Sequence, residues 1–231
     1  MSTGIDFHSH IIPGADHGCS SSDEAVQQLI MMRNAGIATV VATPHFYPAQ
    51  HDVADFFARV DFGMGRLSPK RPEDAPRLHL GAEVLLCPRL HKMDGFEQLC
   101  IRGTRVMLLE LPFSGCNRDM IDTVGDMLDL GYTVVLAHID RYIKNFDDQI
   151  DELLDMGALA QINASSLKGF FDRKRLMPYL ESDRVVAFGS DLHSTDQKAL
   201  DAYAALQKLP NGLFDRICAR SAELLADATL F

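Results

Sequence analysis

Seven strand-like apolar runs alternate with helical stretches along almost the whole chain, and that order leaves few folds open. The runs lie at 5–11, 37–43, 78–84, 105–111, 133–138, 158–163 and 184–190. Between most of them the sequence turns amphipathic at helical spacing. Ser21-Ser22-Asp23-Glu24 reads as a capping box opening a helix that runs to Gly36. Asp119 to Leu130 stops at Gly131, and Asp147 to Met156 stops at Gly157. Glycine takes the left-handed C-terminal turn of a helix at least cost. Asp196 to Leu209 and Leu213 to Ala226 read as two closing helices. Strands alternating with helices imply a parallel sheet joined by right-handed crossovers. The expected fold is α/β: a distorted (β/α)7, TIM-like barrel in a single domain, residues 1–231. An open doubly wound sheet is the alternative. The polar stretch 66–77 contains three prolines. It reads as a surface loop and not a linker, because the alternation resumes directly after it.

Composition narrows the function classes. Hydrophobic residues make up 47% and charged residues 23% of the 231, enough for a sizeable core and too apolar for disorder. No apolar run reaches the roughly 18 residues that would suggest a membrane span. A basic start followed by an apolar stretch, the mark of a signal peptide, is missing. The five cysteines are odd in number and form no C-x-x-C pair, which fits a reduced, cytoplasmic protein. A net charge of −10 argues against a broad nucleic-acid-binding face, though not against a small local positive site.

In both folds active residues gather at the carboxyl ends of the strands. Ligand-type residues fall there. The first run ends in His8 and His10, the second in His45, and the third near Glu83. The fourth carries Glu110, the fifth ends in His138, and the seventh ends in Asp191 and His193. The strand bodies before them are nearly free of such groups. Residues i and i+2 of a strand point the same way, so His8 with His10, and Asp191 with His193, converge if the backbone stays extended. A rim of imidazoles and carboxylates around one cavity is expected. Neutral imidazole and carboxylate suit zinc, manganese and iron. So many ligands overfill one ion, and two or three divalent ions is the natural count. Two ions about 3.5–4 Å apart can hold a bridging hydroxide and polarise a phosphoryl oxygen. An unpaired carboxylate after an apolar run is costly to bury, so Glu83 and Glu110 call for a metal or an internal salt bridge.

The motifs "DFHSH", "ATPH", "GAEV", "LLELPF", "AHIDRY" and "GSDLH" occur in the order seen in the PHP (polymerase and histidinol phosphatase) superfamily. The chain resembles most its capsule-regulating tyrosine-phosphatase branch, the CpsB/YwqE-like proteins, from Asp6 to the C-terminus. The resemblance implies a (β/α)7 barrel with a trinuclear site, usually manganese and sometimes iron or zinc. It implies one ion on His8, His10, Glu83 and Asp191, and a second on Glu83, Glu110 and His138, with Glu83 bridging. A third is implied on His17, His45 and His193. It implies phosphate contact by Arg141, and Lys198 falls near a second phosphate-contacting arginine.

There are departures. The branch usually has Asp-Asp-Gly where this chain has Asp16-His17-Gly18, which would soften the third-ion site and favour zinc more. Asp140 stands where the branch often has glutamate. Lysine at 198 lacks the bidentate fork of arginine. "FYPAQHD" after His45 lacks the basic pair of some capsule enzymes.

The implied activity is hydrolysis of a phosphotyrosine ester by a metal-bridging hydroxide that attacks phosphorus in line. Arg141 would orient the phosphate, and His45 or His193 would stabilise the leaving phenolate. None of the five cysteines has arginine six residues on, so a cysteine phosphatase is excluded. The implied substrate is a tyrosine-phosphorylated kinase controlling polysaccharide export, with no nucleic acid and no membrane insertion. Rival functions are a histidinol-phosphate phosphatase or nuclease-like phosphoesterase, and a catalytically silent metal-binding regulatory module. Oligomeric state is not readable from the chain.

Overall fold

A computed structural model describes residues 4–231. Nine strands form one sheet: β1 (Gly4–Ser9), β2 (Ile37–Ala42), β3 (His45–Phe46), β4 (Arg77–Leu80), β5 (Glu83–Leu85), β6 (Val106–Glu110), β7 (Thr133–Leu136), β8 (Leu159–Asn163) and β9 (Val185–Gly189). Every pairing is parallel.

Nine strands reduce to the seven expected runs. Only Thr43 and Pro44 separate β2 from β3, and only Gly81 and Ala82 separate β4 from β5. The interruptions sit side by side, because β2 pairs with β4 and β3 with β5. Proline has no N–H to give a ladder, and glycine weakens a strand interior. Hydrogen bonds nevertheless cross the gap, from Gly81 N to Ala42 O (2.9 Å) and from Glu83 N to Pro44 O (3.1 Å). Pairing then passes from β5 through β6, β7, β8 and β9 to β1, and from β1 back to β2. The seven runs thus curl into a ring, and the doubly wound alternative, which leaves two free edges, is ruled out.

Seven α-helices accompany the sheet: α1 (Ser22–Asn34), α2 (Val53–Leu67), α3 (Arg118–Asp129), α4 (Asp147–Asp155), α5 (Phe170–Glu181), α6 (Gln197–Leu206) and α7 (Leu213–Leu224). Ser21 caps α1 as expected, its hydroxyl accepting from Glu24 N at 3.2 Å. The reciprocal half of the box is displaced by one residue, because the Glu24 carboxylate accepts from Ser20 N instead. Gly131 and Gly157 follow α3 and α4 with φ of +80° and +113°. Sequence reading did not single out α2 or α5, which carry the helix-weakening residues Gly63, Gly65 and Pro178. Gly63 has a packing role: a Cβ there would lie 2.7 Å from Ile12 Cγ2 and from Pro13 O.

Buried apolar side chains form two clusters. Met107, Leu109, Val134 and Leu136 join the larger one with helix residues such as Leu29, Phe56, Val124 and Leu153. Val106, Leu108 and Val135, the alternate residues of the same strands, and Ala137 just past β7 join the smaller one with Phe7 and Val41. Burying one such leucine contributes about 2 kcal/mol. Glu110 follows Leu108 at the two-residue spacing, so the strand alternation that buries one face also aims the carboxylate.

Candidate metal centre

Strand ends from around the ring bring one set of side chains together. His8 Nε2 and His10 Nε2 lie 3.1 Å apart. Glu83, the first residue of β5, places Oε2 3.1 Å from His8 Nε2, 3.4 Å from His10 Nε2 and 2.9 Å from His45 Nδ1. Its Oε1 lies 2.7 Å from His138 Nε2. His45 and Glu83 are register partners across the β3·β5 ladder. Glu110, ending β6, stands 3.9 Å from His45 Nδ1 and 3.8 Å from His138 Nε2. Asp191 Oδ1 is 3.3 Å from His10 Nε2, 3.7 Å from His8 Nε2 and 3.5 Å from His193 Nδ1. The His193 ring stacks on that of His10, with centroids 3.9 Å apart. Four overlapping groups each keep one ligand atom per residue within 4.8 Å: His10, His45 and His193; His8, His10 and Asp191; His8, Glu83 and His138; His45, Glu83 and Glu110.

His17 stands apart. It is exposed and belongs to none of these groups. Its ring stacks on His45 at 4.7 Å and faces His193 at 4.9 Å, on the rim of the cluster.

Two members need unusual backbone. His138 has φ +31° and Asp191 φ +53°, left-handed conformations costing on the order of 1 kcal/mol each outside glycine. The extended backbone expected from Asp191 to His193 is therefore not found. β9 ends at Gly189, and the loop is tied to β1 by Asp191 N to His8 O (2.9 Å) and His10 N to Leu192 O (3.0 Å).

The sequence reading missed the groups that hold the imidazoles. Asp16 Oδ2 accepts from His10 Nδ1 at 2.7 Å and from His45 N at 2.9 Å. Gln161 Oε1 accepts from His138 N at 2.7 Å and lies 3.2 Å from His8 Nδ1. Its Nε2 donates to Asn163 Oδ1, and Asn163 Nδ2 donates to Asp191 Oδ2 at 3.0 Å. Gln161 and Asn163 lie on β8, the one run whose end carries no imidazole or carboxylate. Two amides at i and i+2 were the available signal. Gly189 keeps this layer closed, since a Cβ there would lie 2.6 Å from both His8 Cβ and Gln161 Nε2.

The electrostatics of this nest are dominated by crowding. Burial pushes Glu110 up, Glu83 adds to it, and the carboxyl reaches about 7. Burial also opposes charge on Glu83, but His8 and the other imidazoles around it hold that carboxyl well below the usual range. For Asp191, His8, His10 and Arg141 outweigh burial in the same direction. Burial pulls His8 down, yet Glu83 and Asp191 keep it above the ordinary imidazole value. His193 falls to about 4 through burial and the neighbouring His10.

The donor set fits divalent cations. It is nitrogen and oxygen only, with no thiolate among the clustered residues. His45 Nδ1, Glu83 Oε2 and His138 Nδ1 are buried without a hydrogen-bond partner, although His45 Nδ1 and Glu83 Oε2 are only 2.9 Å apart. Buried polar atoms are ordinarily satisfied, and a cation between the first two would satisfy both. An internal salt bridge would pair the first two with each other but leaves His138 Nδ1 without a partner.

Beside the cluster opens a cavity of about 340 Å³ lined by Arg141, Asn163, Lys168, Asp191 and Lys198 among others. Arg141 Nη2 donates to Asp191 Oδ2, and Arg141 Nη1 lies 3.4 Å from His138 Nε2. Lys198 is the second residue of α6, its N–H held by Asp196 at 2.9 Å. Arg141 and Lys198 therefore share the cavity that adjoins the cluster.

Comparison with known proteins gives the chain a family. The family model for capsular polysaccharide synthesis, CpsB/CapC, matches residues 4–217. Tyrosine-protein phosphatase CpsB of Streptococcus pneumoniae is 31% identical over 210 residues, covering 84% of each chain. Tyrosine-protein phosphatase YwqE of Bacillus subtilis is 27% identical over 214 residues, covering 89% of this chain and 83% of that one. Among solved structures, a chain from the pair YwqE of B. subtilis and CpsB of S. pneumoniae, described as unique metal-dependent tyrosine phosphatases, superposes with a TM-score of 0.81. It is 24% identical, with 98% of this chain and 96% of that one covered. A D-hydantoinase superposes at 0.56 with 13% identity, covering 96% of this chain and 70% of that one, a likeness of fold alone. With the family model spanning nearly its whole length, the chain belongs to the CpsB/CapC family of capsular polysaccharide synthesis.

Proposed function

We propose that this chain is a single-domain, metal-dependent protein-tyrosine phosphatase. The observation that carries the reading is the convergence of His8, His10, His45, Glu83, Glu110, His138, Asp191 and His193 on one nest, with Arg141 at its edge. Its family relatives are named tyrosine-protein phosphatases.

His8, His10, Glu83 and Asp191 would hold one ion, and Glu83, Glu110 and His138 a second. His45 and His193 would hold a third, with His17 completing it from the rim. Two or three ions of manganese, or iron or zinc, suit this donor set. Bound divalent ions supply Lewis acidity and an activated water.

The chain's own groups do the rest. Asp16 and Gln161 fix the ring orientations of His10 and His8. Arg141 receives the non-bridging phosphoryl oxygens and holds the ester in line, with Lys198 as a second positive charge across the cavity. His45 and His193 face the leaving phenolate. Among the described residues no helix is long and apolar enough to cross a membrane, and all five cysteines are free. A cytoplasmic protein acting on a tyrosine-phosphorylated kinase of polysaccharide export fits these features and the family.

Metal content of the purified protein, followed by turnover of p-nitrophenyl phosphate and a phosphotyrosine peptide with and without chelator, tests the reading. Two or three ions per chain and chelator-sensitive phosphate release are expected. Full activity after metal removal, or faster turnover of histidinol phosphate or a dinucleotide than of the phosphotyrosine peptide, would refute it.

A further inference from the structure

The net charge of −10 disfavours an acidic partner over most of the surface. One segment next to the nest departs from that balance. Residues 168–175, "KGFFDRKR", carry four cations against the single carboxylate of Asp172. Lys168 lines the cavity that holds Arg141 and Lys198. A second cavity, of about 200 Å³, is lined by Ile143, Lys144, Asp172, Arg175 and Leu176, and it shares Asp140 and Arg141 with the first. Together they make one groove leading away from the metal cluster past Arg141.

The groove's carboxylates are already engaged. Asp172 lies 3.4 Å from Lys144 Nζ and 3.8 Å from Arg175 Nη1. Asp140 accepts from Asn163 N at 2.9 Å, and Asp196 caps α6. Lys144 and Arg175 share one exposed carboxylate between them, which leaves positive charge over. Between Lys168 and Asp172 stand Phe170 and Phe171, 75% and 80% exposed, with their rings edge to face at 5.6 Å. Two adjacent phenylalanines that far into water are out of place unless something covers them.

We infer that this groove docks the residues flanking the phosphotyrosine and selects acidic flanks, with Phe170 and Phe171 covering their apolar parts. The inference rests on the phosphatase reading for the identity of the ligand. Charge complementarity favours an acidic peptide over an anionic membrane, because Lys144, Lys168 and Arg175 line a groove that leads to the metal nest and do not form a flat face.

The test uses the full chain and labelled peptides carrying the non-hydrolysable difluorophosphonate analogue of phosphotyrosine, flanked by glutamates or by lysines. Fluorescence anisotropy reads binding without turnover. The glutamate peptide binds about tenfold more tightly than the lysine peptide. K144E/R175E abolishes that preference, and F170A/F171A weakens the glutamate peptide by about fivefold. Both variants keep kcat/KM for p-nitrophenyl phosphate within about twofold, since neither touches the nest. Equal affinity of the two peptides, or a preference unchanged in K144E/R175E, overturns the inference and leaves the phosphatase reading intact. No turnover of p-nitrophenyl phosphate by the metal-loaded protein overturns the phosphatase reading, while the peptide preference still reads docking by itself. Sedimentation with phosphatidylglycerol vesicles that F170A/F171A abolishes, with peptide affinity unchanged, assigns the patch to a membrane surface and overturns the inference too.

Discussion

Replacing Gln161 with leucine tests whether an amide outside the proposed ligand set governs the candidate metal centre. Gln161 is fully buried, and leucine nearly matches its volume, so packing changes little. Three contacts disappear, one of them the hydrogen bond from Gln161 Nε2 to Asn163 Oδ1. The backbone N–H of His138 loses its acceptor at 2.7 Å, and His8 Nδ1 loses the oxygen that fixes its ring. An unsatisfied buried donor costs about 1–3 kcal/mol. For a domain of this size that lowers the melting temperature of the metal-free protein by roughly 2–4 °C per kcal/mol. Loss of the group that orients a metal-bound imidazole typically costs about 10–100-fold in metal affinity or activity. Thermal unfolding of the metal-free protein and a competitive manganese titration read the two effects separately. Metal affinity within twofold of wild type, alongside the expected fall in melting temperature, would show that Gln161 is structural only and that the orientation argument is wrong.

Three further outcomes follow from the structure. Arg141→Ala should lower kcat/KM for aryl phosphates by about 100-fold with metal content unchanged, and Arg141→Lys should recover only part of it, since a point charge lacks the fork. Gly189→Ala forces a Cβ against His8 and Gln161, so it should cost about 1–3 kcal/mol in urea unfolding and weaken metal binding in the same protein. His79, on β4, bonds to Thr229 near the C-terminus and belongs to none of the metal-type clusters; burial holds its imidazole below the ordinary value despite that contact with Thr229 O at 3.1 Å. In the window just below pH 6.5 the unfolded chain therefore binds the proton first, and His79 makes stability fall as pH falls. His79→Gln should flatten that part of the pH–stability curve, and an equally steep curve would count against it.

Legibility differed by residue. His8, His10, His45, Glu83, Glu110, His138, Asp191 and His193 could be read because each closes an apolar run, where an ionisable group is out of place. Asp16 could not be assigned a role, since it sits in a loop, where a turn closed by Gly18 N on its Oδ1 accompanies its bond to His10. Gln161 and Asn163 are neutral and unremarkable among the residues of a buried strand. The positive φ of Asp191 is set by bonds to β1, distant in sequence, so strand periodicity alone mispredicted its backbone. His17 was legible only through resemblance, and its exposed place on the rim reflects a loop free of strand periodicity. The seven runs were visible, but the shared interruption at Thr43-Pro44 and Gly81-Ala82 was not. Neither break alone signals that the other lies beside it.

The number seven has a consequence in parity. Strict alternation of side-chain height from one strand to the next closes on itself only in an even ring. With seven runs, at least one joint must repeat where it should alternate. Two ladders carry register shifts: β1·β2 slips by one residue between Gly4 and Ile5 and slips back between Asp6 and Ser9, while β8·β9 keeps a net slip between Ala160 and Gln161. A one-residue slip turns a strand's faces over. Both shifting ladders adjoin metal-nest positions, His8 on one and Gln161 on the other. An odd ring cannot be tiled without such dislocations, and here they lie beneath the nest.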